Sequence, residues 1–275
     1  MAVRRSARTT QRQGARKVLP RRREPGSLPH LGLVRAPRTP WAEGEMRRRI
    51  AVATYNVHRW TGRNGRARPD PSRAGLVISE LRADVIALQE VLRPFHGEDP
   101  LEAIADALGL HVAFASTRVH KRGELGNAIL SRWPMSGVSV LDLSFSRMER
   151  RLAMSAQFRF DGGVLDVVGT HLALGDRTRH RQVRSLLDHP HFQGGPTLLL
   201  GDMNAWRQCK ATRVLEDELH HNLAWPPSFP AGRPVLALDR IYSRGAKLVQ
   251  IDAHMSPSAR TASDHLPVVA RVELP

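Results

Sequence analysis

Thr197-Leu198-Leu199-Leu200-Gly201-Asp202-Met203-Asn204 decides how the rest of this chain is read. An apolar run delivers a glycine, then two polar side chains two positions apart. Residues so spaced on an extended segment project to the same side, so Asp202 and Asn204 emerge together from the end of a buried strand. Further on, Ser263-Asp264-His265 opens another strand-like run, Val268-Val269-Ala270. Two acids, an amide and an imidazole at strand ends point to a hydrolytic site built with a divalent cation.

The same arrangement recurs along the chain. Asn56 follows Val52-Ala53-Thr54-Tyr55, and Glu90 closes Val85-Ile86-Ala87-Leu88-Gln89. Asn127 precedes Ala128-Ile129-Leu130, His171 follows Val167-Val168-Gly169-Thr170, and Asp239 sits in Leu238-Asp239-Arg240-Ile241-Tyr242. One polar strand end says nothing; a whole series of catalytic residue types suggests one rim of a sandwich. Between the strands, Asp70-Pro71 and Asp99-Pro100 predict helix starts, with an N-cap followed by proline. Ala74, Val77, Ile78 and Leu81 keep helical spacing on the first, and Leu101, Ile104, Ala105 and Leu108 on the second, which Gly109 stops. Asp176 is expected to cap a helix carrying Val183 and Leu186, and another helix is expected after Ala205. Many short strands with few helices predict two sheets packed face to face, with helices outside.

Composition bounds the rest. The 275 residues are 41% hydrophobic, enough for one large domain or two small ones. The single cysteine, Cys209, excludes an internal disulfide, which fits a reducing compartment; the cytoplasm is the expected location. No apolar run is long enough to span a bilayer or to serve as a secretory signal. Of the net charge of +16, half lies in residues 1–45, with eleven basic and three acidic residues; the remainder holds 31 against 23. Residues 1–45 are rich in Arg, Pro and Gly, so disorder is expected there, with a compact domain over residues 46–275 starting at Met46. The basic body suits a polyanionic partner, although solvated surface charge in an arginine-rich chain explains it equally well.

Thr-Tyr-Asn56-Val-His, Ala-Leu-Gln-Glu90-Val, Gly-Asn127-Ala-Ile-Leu-Ser, Gly-Thr-His171-Leu, Leu-Gly-Asp202-Met-Asn204-Ala, Leu-Asp239-Arg-Ile-Tyr and Ser-Asp264-His265-Leu-Pro-Val together resemble the endonuclease/exonuclease/phosphatase superfamily, in the family's order, over roughly residues 50–272. That superfamily includes DNase I-like nucleases, apurinic endonucleases, inositol-polyphosphate phosphatases and neutral sphingomyelinases. The resemblance implies an α/β, four-layer α/β/β/α sandwich and a Mg²⁺-dependent phosphodiesterase, with Mn²⁺ as an alternative cation. Glu90, Asn56 and Asp264 are then the metal ligands. His265 is the general base, oriented by Asp239; Asp202 orients the attacking water, and Asn204 and His171 hold phosphoryl or leaving oxygens. Asn127 either bonds the phosphate or supports the site from behind it, and Arg151, with Arg150 an equal candidate, either contacts the phosphate or is plain surface charge. An imidazole titrates near neutrality, which suits a base, and guanidinium geometry suits phosphate.

The sequence departs from one branch of the family. His58 stands where apurinic endonucleases carry an acid, which tells against that assignment and leaves the number of metals open. The Gly-Thr-His171-Leu form looks closer to sphingomyelinase-like and inositol-phosphatase-like members. Nucleic acid and a phospholipid headgroup are therefore both retained as substrates, for a chain expected to act as a monomer. A non-catalytic polyanion-binding module is the reading from another class; the completeness of the acidic and imidazole set weighs against it. Trp60, Trp133, Trp206 and Trp225 are candidate base-stacking platforms, though buried packing is the commoner role of tryptophan.

Overall fold

The computed structural model describes residues 29–41, 45–145, 150–190, 194–219 and 223–275. Its strands are β1 (His30–Arg35), β2 (Arg49–Asn56), β3 (Val85–Pro94), β4 (His111–His120), β5 (Gly123–Ser131), β6 (Gly137–Asp142), β7 (Leu152–Phe160), β8 (Gly163–His171), β9 (Thr197–Asp202), β10 (Asp239–Arg244), β11 (Lys247–Ala253) and β12 (Val268–Glu273). The helices are α1 (Pro71–Leu81), α2 (Pro100–Ala107), α3 (Asp176–Leu187), α4 (Lys210–Glu218) and the single-turn α5 (Ala259–Ala262). One sheet runs β1-β4-β5-β3-β2-β12-β11 and the other β10-β9-β8-β7-β6.

Strand alternation builds the layers. Ala51, Ala53 and Tyr55 of β2 face a core shared with α1 and α2, while Ile50 and Val52 face the space between the sheets. In β9, Leu198 and Leu200 enter that central core and Leu199 packs outward with Val183 and Leu186 of α3. Three hydrophobic layers separated by two sheets make the expected α/β/β/α sandwich. The sheets approach so closely at Gly169 that a Cβ there would lie 3.2 Å from the Cβ of Ala87.

Each sheet contains one parallel pair, β2 with β3 and β8 with β9. A parallel pair needs a crossover, supplied here by α1 and α3. The cap at Asp99 forms as expected, its carboxylate accepting from the Leu101 amide at 2.9 Å. Two expected caps do not form. Asp70 bonds the Ser72 hydroxyl and the Arg73 guanidinium instead of helix amides. Gly175 takes the cap position of α3, leaving Asp176 inside the first turn, where it pairs with Arg179.

The boundary at residue 46 needs correcting. His30–Arg35 is not disordered; it adds an antiparallel edge strand to β4. Composition averaged over 45 residues hid a six-residue strand. Ladder hydrogen bonds offset its ordering cost, Leu33 packs on the outer core, and Arg35 pairs with Asp106 and Glu102 of α2 at 3.0 Å each. The compact unit thus includes residue 30. Met46 is buried and bridges to Phe160, inside the fold rather than at its start. The expectation for residues 1–28 lies outside the described residues. Among the described residues, no helix is long and apolar enough to cross a membrane.

Candidate active site

The C-terminal ends of both parallel pairs open at one edge of the sandwich. In the β2–β3 pair, Asn56 stands opposite Gln89, one residue before Glu90. In the β8–β9 pair, His171 stands opposite Asp202, and β10 places Asp239 on the other side of Asp202. The loop from α5 to β12 adds Asp264 and His265. The two sheets meet directly here, since the Asn56 Nδ2 donates to Asp202 Oδ2 at 3.2 Å. Gly201 is required by the close pairing: a Cβ there would meet the Thr170 carbonyl oxygen at 2.0 Å.

Around Asp202 the groups form a buried network. His265 Nδ1 lies 2.8 Å from Asp239 Oδ2, which also accepts from the Ser228 hydroxyl at 2.6 Å. His265 Nε2 and His171 Nε2 lie 3.7 and 3.4 Å from the same oxygen, Asp202 Oδ2. Arg151 points a guanidinium nitrogen at His171 Nδ1, 3.4 Å away. A guanidinium can only donate, so Nδ1 accepts and the His171 proton sits on Nε2. Burial, reinforced by the charges of Arg151, His265 and Arg118, holds His171 well below the ordinary histidine range, and hence neutral. Burial also opposes charge on His265, but the carboxylates of Asp239 and Asp202 outweigh it and push its pKa up to about 10. Asp202 moves up to about 6, because burial outweighs the attraction of His265.

Asn204 holds a left-handed backbone (φ 50°), its amide donating to Asp202 Oδ1 at 2.9 Å. Its side-chain Nδ2 donates to the Leu172 carbonyl at 2.8 Å, tying the ends of β8 and β9 together. Arg179 completes the tie and was not anticipated from sequence. Fully buried, it directs one guanidinium nitrogen at the carbonyls of Ala173, Leu174 and Asn204, at 2.8, 3.0 and 2.8 Å. Gln182 accepts from the Ala173 amide at 2.8 Å. A signal existed: Arg179 falls on the helical face of Val183 and Leu186, where an arginine needs buried partners.

The other parallel pair ends differently. Glu90 sits at a β-bulge between Leu88 and Val91 with φ 53°, and His58, Arg59 and Trp60 are left-handed in succession. Such conformations cost on the order of 1–3 kcal/mol each and gather at functional sites. Arg59 Nε approaches Glu90 Oε2 at 3.4 Å and donates through another nitrogen to His58 Nε2 at 2.7 Å. His58 Nδ1 then faces Asp264 Oδ1 at 3.2 Å. Glu90 and Asp264 are thus linked through His58 and Arg59 rather than in contact, and Asn56 Oδ1 accepts from the His58 amide at 3.0 Å. The oxygen donors of Glu90, Asn56 and Asp264 are of the type a hard divalent cation takes, but Arg59 competes with a cation for Glu90. Asp202, Asp239 and His265 also lie close enough together to hold a metal, with ligand atoms within 4.8 Å of one another. There, however, His265 Nδ1 is committed to Asp239, an arrangement suited to proton handling.

A cavity of about 190 Å³ joins the two halves, lined by Glu90, Asn127, Arg118, Arg150, Arg151 and His171. Both arginine candidates reach it, and Asn127 Nδ2, though buried, has no hydrogen-bond partner among the described residues. Trp60 is no stacking platform: it is buried, and its indole donates to the Leu92 carbonyl at 2.7 Å. Trp206, just beyond Asn204, is 67% exposed.

Comparison with known proteins agrees with this geometry. Residues 53–265 match the model of the Endonuclease/Exonuclease/phosphatase family. The chain is 31% identical over 252 residues to protein YbhP of Escherichia coli, covering 81% of this chain and 96% of that protein. An endonuclease/exonuclease/phosphatase structure from Beutenbergia cavernae superposes with a TM-score of 0.70 at 23% identity, covering 82% of this chain and 72% of that one. The human Nocturnin catalytic domain, solved with a bound sulfate, gives 0.65 at 19% identity, covering 84% and 97%. The chain belongs to the endonuclease/exonuclease/phosphatase family of phosphoester hydrolases.

Proposed function

We propose that this protein is a metal-dependent phosphodiesterase in which water attacks phosphorus directly. The observation carrying this reading is the convergence of His171, His265 and Asn56 on one carboxylate oxygen of Asp202, with Asp239 behind His265. A divalent cation held by Glu90, Asn56 and Asp264 would neutralise the phosphate and polarise a phosphoryl oxygen. The remaining steps belong to the chain. Neutral His171 directs its Nε2–H at a phosphoryl or departing oxygen. Asn127 turns its unpaired Nδ2–H₂ towards the phosphate, and Arg151 adds charge beside it.

Sequence reasoning gave proton acceptance to His265; electrostatics favour a different division of labour. Held by two carboxylates, His265 enters as imidazolium and stabilises negative charge. Asp202, moved up to about 6, then accepts the water proton at neutral pH. Asn204 fixes its carboxylate through the backbone amide. Water delivers its oxygen to phosphorus and its proton to Asp202 as the bond to the leaving oxygen breaks.

A lipid-headgroup phosphodiester is the second reading, favoured by the exposed apolar side chains of Leu174 and Trp206, which follow His171 and Asn204 closely in sequence. The test is turnover by the full chain of plasmid, single-stranded DNA, sphingomyelin and phosphatidylglycerol, with Mg²⁺ and with EDTA. Hydrolysis that needs the cation and disappears in His265→Ala is expected. Metal-independent turnover, or none across the panel, would count against the proposal.

A further inference from the structure

Helix α4 carries its charges against its own dipole. Its first half holds the exposed Lys210 and Arg213, and its last turn holds Glu216, Asp217 and Glu218. The N-terminal end of a helix is its positive pole, where acids are favoured and cations are not. The cations of α4 therefore crowd the end that repels them.

That end lies at the mouth. α4 starts just past Asn204, and its cap residue Cys209 meets Arg179 of α3, so both helices begin at the same edge of the sandwich. On α3, Arg177 and Arg181 are exposed and lie one turn apart. Asp176 is the one acid in residues 174–181 and 205–213, and it is already engaged by Arg179 and by Arg207, the latter at 3.8 Å.

Two large apolar side chains stand at the same edge. Leu174 is 73% exposed and Trp206 67%. Their loops are neighbours, because one nitrogen of Arg179 holds the carbonyls of Leu174 and Asn204, at 3.0 and 2.8 Å. A nucleic-acid strand would use the cations and could stack a base on Trp206, but it has no use for an exposed leucine beside them. A bilayer uses all three: leucine enters the acyl boundary, tryptophan sits at headgroup level, and anionic lipids meet the cations.

We propose that the rim formed by the β8–α3 and β9–α4 loops docks on an anionic bilayer surface. Leu174 and Trp206 enter the boundary between headgroups and acyl chains, and Arg177, Arg181, Lys210 and Arg213 rest on lipid phosphates. His171 and Asn204 stand shortly before this apolar pair in the chain, so docking holds the mouth against the headgroups. That consequence rests on the phosphodiesterase reading and deepens it: the ester hydrolysed is carried by the bilayer itself.

The experiment is sedimentation of the full chain with lipid vesicles in EDTA, so that binding is read without catalysis. At low salt the wild-type chain is expected to partition roughly tenfold or more in favour of phosphatidylcholine–phosphatidylglycerol vesicles (about 3:1) over phosphatidylcholine alone. Leu174→Ser combined with Trp206→Ser should weaken that partition roughly tenfold, and Arg177→Gln combined with Arg181→Gln should remove part of the preference for anionic lipid. Both variants should unfold in denaturant with the wild type and turn over bis(p-nitrophenyl) phosphate at its rate. A chain that ignores the vesicles overturns the docking. So does vesicle binding that survives both pairs of substitutions, since another part of the chain then carries it. DNA binding that is lost in Trp206→Ser while vesicles are ignored would give the rim to nucleic acid instead. Absence of bis(p-nitrophenyl) phosphate turnover by the wild-type chain would strike the phosphodiesterase reading alone.

Discussion

The two parallel strand pairs of this sandwich are built alike and finished differently. Both consist of a strand, a crossover helix and a second strand, and both end in polar side chains at the same mouth. The β8–α3–β9 unit ends in a clamp, where Arg179 gathers three carbonyls and Asn204 bonds across to Leu172. Its functional groups, His171 and Asp202, are almost fully buried. The β2–α1–β3 unit ends in a left-handed turn and a bulge, held by the partly exposed Arg59–Glu90 and His58–Asp264 pairs. Proton handling needs fixed distances and low dielectric, whereas admitting a cation and an anion needs groups that can exchange partners. Under the proposed function, the clamp would serve the first requirement and the ion pairs the second.

The largest effect expected is on the clamped side. His265→Ala should lower kcat by about 10²–10⁴-fold at saturating metal, whereas Glu90→Gln should mainly raise the Mg²⁺ concentration needed for half-maximal rate. Metal titrations of both variants check this; equal metal dependence would erase the proposed division. Next is pH. Because Asp202 must be ionised to accept a proton and its pKa is raised to about 6, activity should fall as pH drops through about 6. That acidic limb should vanish, at a much reduced rate, in Asp202→Asn. Because His265 is to stay protonated, a second decline is expected only near its pKa of about 10. A base with an ordinary histidine pKa at position 265 would instead give a limb near 6.5 that survives Asp202→Asn.

The third effect is on stability. Arg179→Met takes the donor from three carbonyls, at about 1–3 kcal/mol for each one left stranded; a loss of at least about 3 kcal/mol in chemical denaturation is expected, with Arg179→Lys intermediate. The smallest concerns the open side. Arg59→Ala should change stability by less than about 1 kcal/mol, as partly exposed ion pairs do, yet tighten cation binding severalfold by freeing Glu90. Isothermal titration with Mn²⁺ reads this directly, and weaker binding would show that Arg59 supports the cation site instead of competing for it.

What could be read from sequence follows the same division. The strand ends were legible because buried strands leave unbroken apolar runs, and Asn56, Glu90, His171 and Asp202 interrupt them abruptly. The sandwich followed from those runs. Arg179 stayed hidden among Arg177, Arg181 and Arg184, since its meaning lies in facing inward on α3 and composition carries no direction. The β4–β5 hairpin runs on well before the apolar run that follows Asn127, because Arg118 to Glu124 is mostly polar and exposed; backbone pairing, not burial, extends it. The strand β1 was lost to averaging with its arginine-rich surroundings. His58 was noticed as a departure, but its bridge from Asp264 to Arg59 depends on a turn with three left-handed residues, which no local propensity announces.

The bond from Asn56 to Asp202 has a mechanical consequence. Its donor rides on one sheet and its acceptor on the other, so it gauges the sliding of the two halves past each other. A slip of an ångström would leave each sheet's ladder intact and the hydrophobic layers in register, yet throw the reacting groups out of alignment. Heat or pressure should therefore silence the enzyme while the sandwich still stands.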